Sequence, residues 1–581
     1  MSKRILAVKT LNQYRKRDIT AYLGLRYYLH NVSAARCNWI KKISHNLAMT
    51  QEKPPYLKIS HFKEIDNNII KHRDIYIPSP NEALAEADLL TELSKLPKFQ
   101  SESCVYSYRF ADHTDTSGVF KAYFGGLQER HKNIAKACQE IQDAVVLYAD
   151  IKRFYPSIKS EDAFRVWKEY TSESGLPVSY IQLGEKLLAN HKKICDSDKS
   201  GLGILTGPQF SHLIANLLLK SIDQEMSKLT NGHYYRYVDD VILIGQKTDV
   251  EHWRKHLSSL FSQLGLKLHD GSKDFTVSKT EWLTGENDFE SSLGKEWLNL
   301  SYDLQRFLVI HPDKKELLVQ AVKEKQMRIL ILDYARSGKE STFLHRFRSF
   351  LERHNWYISI FNKTTVASLL TSAEKCRDTL RKALTDIMDI LAQSKQSSYL
   401  SAYQRKRMIT KLRYLTSILI YLLSDKELLL IAIQLQQYPE LQASVSMIRA
   451  VVTRDVTEVI SMGCNVTQSA AQLLRVSDLP VTINEFKLKD DNSDVIEQSL
   501  AVLSLNGISY TFSKSLSDLR CFSTATNMQD LMSSEHSFIQ EIACLHGVSE
   551  SRHSEMLNSA FDNDEPIVYD ILYLLDESGH Y

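Results

Sequence analysis

The sequence is short of the features that would place it in several large classes. Its eight cysteines, at 37, 104, 138, 195, 376, 464, 521 and 544, lie far apart and include no CxxC pair. Neither a zinc knuckle nor a disulfide framework is therefore expected. No secretory segment is evident, and with the scattered cysteines this predicts a reducing, cytoplasmic setting. The longest apolar stretches, such as residues 415–423 (LTSILIYLL), are too short and too polar-flanked to span a membrane, so no membrane partner is expected. A net charge of only +2 over 581 residues gives no bulk argument for nucleic acid. No fixed internal repeat period is found, which argues against a regular solenoid.

What is present is unevenly distributed. Residues 1–50 carry ten Lys or Arg, including Lys3, Arg4, Lys9, Arg15, Lys16 and Arg17, against the single acid Asp18. Residues 485–581 carry seventeen acids and five bases. The basic end suits phosphate backbones, or else a solvated face answering the acidic tail. Four segments follow: a basic, partly helical region at 1–100, a strand-containing core at 101–290, an all-α region at 291–480 and an acidic region at 481–581.

Residues 1–100 mix helical patterns with tyrosine-rich runs, broken by Pro54 and Pro55, with Pro78 and Pro80 bounding another loop. Within 101–290 the grammar changes. Residues 145–149 (VVLYA) form an apolar run of strand formers that ends at Asp150. Residues 233–238 (HYYRYV) and 241–244 (VILI) are two more, separated by Asp239 and Asp240, the pattern of a hairpin. Helices are predicted over 210–229 and 250–264, the latter with a stripe at Trp253, Leu257, Leu260, Phe261 and Leu264. The order predicts a sheet covered by helices on one face. Beyond 300, helices are predicted from Pro312 through 332 and at about 341–353, 365–392, 399–424, 427–438 and 440–457, packed as a bundle or an irregular helical repeat.

The acids carry the chemistry. Phosphoryl transfer by two divalent ions needs carboxylates converging on metals about 4 Å apart. Asp150 closes one strand and Asp239-Asp240 sit in the turn between two others. If those strands neighbour, three like charges meet and demand a cation. A lone DD turn is common, so its weight depends on its surroundings.

Those surroundings resemble the palm of reverse transcriptases. YADIKRFYPSI (148–158) is similar to their first palm motif, GILTGPQFSHLIANLL (203–218) to their second, and YVDD (237–240) to their metal-binding hairpin, in the right order. The resemblance covers about 100–290. It implies an α+β fold, a right-hand polymerase fingers and palm, followed here by a large all-α, helical-repeat-like domain. It implies Asp150, Asp239 and Asp240 as catalytic residues and ligands of two Mg2+ ions, Mn2+ being the alternative, with the backbone carbonyl of Ile151 facing a metal. Tyr155 matches the steric gate beneath the sugar, which favours deoxynucleotides; its other reading is a core aromatic. Thr206 and Gly207 fall where the family has Gln and Gly of a Pro-Gln-Gly motif, with Ser211 four residues on. Thr206 reaches less far than glutamine, which weakens the expectation of conventional templated copying. Lys273, after GLKLH (265–269), matches a lysine placed near the pyrophosphate, with Lys279 as the alternative, and WLTG (282–285) loosely resembles a primer-grip turn. Arg109 and Lys121 are the fingers-side cations for the triphosphate, each with a surface salt bridge as its other reading.

The catalytic segment has no recognisable His-Asn-His, integrase zinc site or ribonuclease H array beside it. Followed by a helical region, it resembles the bacterial abortive-infection and defence-associated reverse transcriptases. That resemblance implies dNTPs as substrates, a single-stranded DNA product, a non-coding RNA as template or no template, a homo-oligomer, and a phage-encoded trigger. A retron- or intron-type enzyme copying a structured RNA, and an inert RNA-binding scaffold, are the alternatives. Tyr14, Tyr22, Tyr27 and Tyr28 lie in the basic region where a priming tyrosine or packing residues are expected. Arg405, Lys406, Arg407, Lys411 and Arg413 form a basic cluster suited to phosphate or to solvent. Arg348 and His354 have the spacing of a helical ribonuclease motif, a pairing that arises easily by chance.

Overall fold

The computed structural model describes residues 44–50, 54–66, 69–112, 118–121, 123–197, 203–270, 274–286, 292–311, 314–329, 364–396, 400–474, 479–488, 493–506 and 508–513, with isolated positions besides. The fold is mixed α and β, dominated by helices, with small antiparallel sheets. The chain divides into two compact units, the first comprising residues 1–59, 74–289 and 525–548, the second 60–73, 290–524 and 549–581.

Strands β1 (Tyr56–Asp66) and β2 (Ile69–Pro78) form a two-stranded hairpin whose outer part, residues 60–73, is counted in the second unit. The prolines expected to bound loops instead mark its limits. Pro78 ends β2, and Pro80 starts helix α1 (Pro80–Leu93) at the position where a missing N–H costs nothing.

The first unit is built on a four-stranded antiparallel sheet, of order β4-β5-β3-β6. Its strands are β3 (Val145–Asp150), β4 (Tyr234–Tyr237), β5 (Asp240–Gly245) and β6 (Phe275–Ser278). Helices α2 (Tyr123–Glu140), α5 (Gln209–Leu229), α6 (Lys247–Gln263) and α7 (Lys279–Glu286) pack on it, while α3 (Ser160–Thr171) and α4 (Val178–Ser197) pack against each other. Val241, Ile242, Leu243 and Ile244 are all fully buried. Since neighbouring side chains of a strand point to opposite faces, both faces of β5 are covered, and the expected one-sided cover does not hold at this strand.

The second unit is mostly helical in its described residues, with the hairpin tip and two isolated bridges, Asp455 to Thr482 and Val481 to Tyr510, besides. Helix α8 (Ser292–Ile310) packs on α10 (Val366–Gln396), which packs on α11 (Ala402–Leu422). Leu369, Ala373, Cys376, Leu380, Leu384, Ile387 and Leu391 of α10 are buried at spacings of three and four, the stripe that turns one helical face inward. Helix α9 (Lys315–Glu324) is shorter than its predicted span. Ser401 and Gln404 begin α11 with a capping box. Further on, α12 (Asp425–Leu435) packs on α13 (Gln442–Thr453), and α14 (Cys464–Leu474) on α15 (Ser493–Leu505). The hairpin tip joins this unit's core through Phe62, Ile65 and Ile70. The predicted helix at 341–353, Arg348, His354, Tyr22, Tyr27 and Tyr28 lie outside the described residues; Tyr14 is buried. Among the described residues no helix is long and apolar enough to cross a membrane.

Candidate metal centre

Strand β3 carries the first acid. Val146, Leu147 and Ala149 anchor it in the core and leave Asp150 at its end, 6% exposed. β3 and β5 run antiparallel in a register that sets Asp150 opposite Asp240, and β4 pairs β5 with Tyr237 opposite Asp240. The intervening loop is therefore only Val238 and Asp239. Carboxylate oxygens of Asp150, Asp239 and Asp240 all lie within 4.8 Å of one another. Asp150, distant in sequence from the adjacent Asp239 and Asp240, shares one sheet end with them.

The turn itself is unusual. Val238 has φ +56°, a left-handed conformation that a β-branched residue rarely adopts. Such strain costs about 1–3 kcal/mol and persists only where surroundings enforce it. The Val238 N–H donates to Ser107 Oγ at 2.7 Å, and the Val238 carbonyl accepts from Arg236 Nη1 at 2.9 Å. The carbonyl of Asp239 accepts from the Ile151 N–H at 3.0 Å. Arg236 is wholly buried and bound to Asp223 by two hydrogen bonds, 2.7 and 2.6 Å. Neither Ser107, Asp223 nor Arg236 was expected as a site residue, for their roles come from partners across the fold, Arg236 although it directly precedes the YVDD turn.

Two further groups reach the carboxylates. The Tyr148 hydroxyl donates to Asp240 Oδ1, from a ring stacked on Phe275 with centroids 5.0 Å apart. Burial and then the Asp240 charge drive the Tyr148 pKa upward, so the phenol stays a proton donor. His269 donates its backbone N–H to the Asp150 carbonyl at 2.7 Å, and its Nε2 lies 3.8 Å from Asp150 Oδ2. Arg130, also buried, lies over the Tyr237 ring at 5.3 Å. Ile151 is buried beside Asp150, bridged to Leu268.

Tyr155 is buried, and its hydroxyl shares a 2.6 Å hydrogen bond with His212 Nδ1. His212 in turn stacks flat on Tyr108, centroids 3.8 Å apart and planes 7° apart. The second motif lies close by, since the Ile204 N–H donates to the Tyr155 carbonyl at 3.2 Å. Thr206 accepts the Tyr76 N–H on its backbone carbonyl at 2.8 Å. Gly207 has φ +126°, and a Cβ there would fall 2.4 Å from the Tyr76 carbonyl oxygen, so no side chain fits. The helix that follows, α5, is capped from a distance: Glu86 Oε2 accepts the N–H groups of Gln209 at 2.8 Å and Phe210 at 3.4 Å. Burial raises the Glu86 pKa to about 7. Tyr56 links Glu86 to Glu82 and His191, and burial lowers the His191 pKa to about 3.

The remaining cations fare differently. Arg109 and Lys121 are brought together on a short ladder, with the Lys121 N–H donating to the Arg109 carbonyl at 2.7 Å. Arg109 then spends its guanidinium on Glu129 at 2.8 Å and on the carbonyls of Val105 and Ser103, the salt-bridge reading. Lys121 is exposed. Lys273 lies outside the described residues, and Lys279 donates to the Ile141 carbonyl at 2.9 Å. The segment expected as a primer-grip turn at 282–285 is part of helix α7 instead, with Trp282 buried and stacked on His131 at 6.0 Å. In the basic cluster of the helical unit, Arg405 pairs with Glu440 at 2.5 Å, Arg413 donates to the Glu440 carbonyl, and Arg407 meets Tyr403.

No family model matches the chain, and no curated protein does. Its chemistry rests on the site alone. Three carboxylates grouped this closely, one of them buried, form a set that could hold a metal ion.

Proposed function

We propose that this protein is a DNA polymerase of reverse-transcriptase type, which extends a primer with deoxynucleoside triphosphates at the centre formed by Asp150, Asp239 and Asp240. The observation that carries this reading is the convergence of those acids within 4.8 Å, at the meeting of a strand end and a two-residue turn. Asp150 and Asp239 would be the principal ligands of two Mg2+ ions, assisted by the Ile151 carbonyl. When bound, such ions activate the attacking 3′-hydroxyl and neutralise the departing pyrophosphate. Asp240, tied to Tyr148, holds the primer end beside them.

Tyr155 serves as the sugar gate, its ring filling the space a 2′-hydroxyl would need while its own hydroxyl is engaged by His212. Gly207 lets the backbone of the second motif lie flat near the nucleotide, and Thr206 takes the glutamine position with a shorter reach. Arg109, Lys121 and Lys273 are the cations proposed for the phosphates, Arg109 exchanging Glu129 for the triphosphate. The wider biology follows the resemblance: phage defence, a single-stranded DNA product, a non-coding RNA template or none, a homo-oligomer, and a phage-encoded trigger.

The test is incubation of the purified protein with each labelled dNTP and Mg2+, with and without ribonuclease and protease. Incorporation that disappears in Asp150→Ala and Asp239→Ala, both still folded, is the expected result. Protease-sensitive label indicates a protein primer, and ribonuclease-sensitive synthesis an RNA template. Equal incorporation by either variant, or none by the native protein with any primer, ends the proposal.

A further inference from the structure

We infer that Ser107, Arg236 and Asp223 form a positioning set that holds the Val238–Asp239 turn in its left-handed conformation and thereby sets the divalent-cation affinity of the carboxylate centre. This rests on the metal-centre reading above but concerns residues outside it.

Three consecutive peptide groups of the turn are each gripped. The N–H entering Val238 is taken by Ser107 Oγ, the carbonyl leaving it by Arg236 Nη1, and the carbonyl leaving Asp239 by the Ile151 N–H. With both peptide planes around Val238 fixed, the direction in which Asp239 leaves the backbone is fixed as well. Val238 is a poor residue for φ +56°, so the turn needs this grip where a glycine would not.

The grip is itself immobile. Arg236 Nε and Nη2 are bound by the two oxygens of Asp223, and its Nη1 also meets Asn216 Oδ1 at 3.2 Å. Ser107 is 1% exposed, on a segment running parallel to β4: Arg236 N–H donates to the Cys104 carbonyl and Tyr106 N–H to the Arg236 carbonyl, each at 2.9 Å. Asn216 secures the same segment by donating to the Ser107 carbonyl at 3.2 Å. A buried ion pair is weak evidence for stability, since apolar residues of equal volume often do as well. The guanidinium supplies what an apolar residue cannot, a donor aimed at the Val238 carbonyl.

Removing Arg236 would leave Asp223 charged in the core without its ion pair, held only by a neutral donor such as the Tyr234 hydroxyl at 2.9 Å, so Ser107 is the cleaner probe. Mn2+ binding to the full chain, read by the loss of the free-ion electron paramagnetic resonance signal, reports affinity without any need for polymerisation. Ser107→Ala should bind about tenfold more weakly, the usual cost of losing an outer support of a metal site, at a temperature where its circular dichroism is native. Adding Val238→Gly should restore affinity to within roughly threefold, because glycine adopts the turn unaided. If Ser107→Ala alone does not fold, the comparison is made in the Val238→Gly background, where losing Ser107 should cost less than about threefold. Native affinity in folded Ser107→Ala, or a loss that glycine fails to repair in either comparison, overturns the inference. A native chain with no saturable Mn2+ binding abolished by Asp150→Asn overturns the metal centre itself, and this inference with it.

Discussion

Three carboxylates within 4.8 Å oppose one another, so their grouping costs the folded protein free energy until a cation is bound. In metal-free buffer, Asp150→Asn should therefore raise the melting temperature by roughly 2–4 °C. Millimolar Mg2+ should raise that of the native chain and do much less to the variant. A native melting curve indifferent to Mg2+ would argue that the acids hold no ion. Tyr155 makes a separate prediction. Tyr155→Val should improve the use of ribonucleotides relative to deoxynucleotides by roughly tenfold or more, whereas Tyr155→Phe, which keeps the ring and loses only the bond to His212, should change little. Unaltered sugar discrimination in the valine variant removes the gate. At this scale the grouping of the three acids was legible because they punctuate short, strongly patterned runs, whereas Tyr155 was singled out by resemblance alone. Ser107, Asp223, His212 and Glu86 were not, because their roles arise from partners far along the chain.

Helix α5 begins at Gln209, after Gly207 and the N-cap Pro208, and its first N–H groups rest on Glu86 rather than on a local side-chain cap. Glu86→Ala should cost about 1–2 kcal/mol, the usual value of an N-cap. The pH dependence is more telling. The Glu86 pKa rises from 4.5 to about 7 on folding, so the folded state binds the proton more readily. Its contribution to stability is full below the unfolded pKa and is lost as pH rises through about 7, an effect of roughly 3 kcal/mol. His191 works the other way: with its pKa lowered from 6.5 to about 3, stability is full above 6.5 and falls as pH drops toward 3. The two slopes oppose between pH 4.5 and 6.5. Glu86→Gln keeps an acceptor for the helix and leaves the His191 slope exposed, so urea unfolding of this variant should show stability rising with pH there. A flat profile like the native one would exclude this account. On α11, Arg405→Ala should lose at most about 1 kcal/mol, since its pairing with Glu440 is partly exposed.

On the scale of the whole molecule, the first unit packs around the four-stranded sheet, and the second holds two hydrophobic clusters along its helices. Calorimetry should resolve two unfolding transitions, with Mg2+ moving only the one that Asp150→Asn also moves. A single transition shifted as a whole by Mg2+ would show that the units unfold together. The hairpin of β1 and β2 shows why this division was hard to foresee. Pro54, Pro55, Pro78 and Pro80 suggested loops, yet they bracket two long strands whose Phe62, Ile65 and Ile70 pack half-buried against a core of the second unit. Half-burial supplied by residues hundreds of positions away is not written in any local run of the sequence.

The sequence by itself determined the pieces: a strand ending in Asp150, a hairpin whose turn it set at Asp239 and Asp240, one residue later than the Val238-Asp239 turn of the fold, and amphipathic helices among the described residues of the latter half. These are local matters of side-chain period and turn length. Only the tertiary structure decided that β3 lies beside β5 in the register that sets Asp150 against Asp240, and that Ser107 and Arg236 clamp the strained turn between them. Register and clamping depend on which distant groups find each other once water is excluded, and no window of neighbouring residues encodes that.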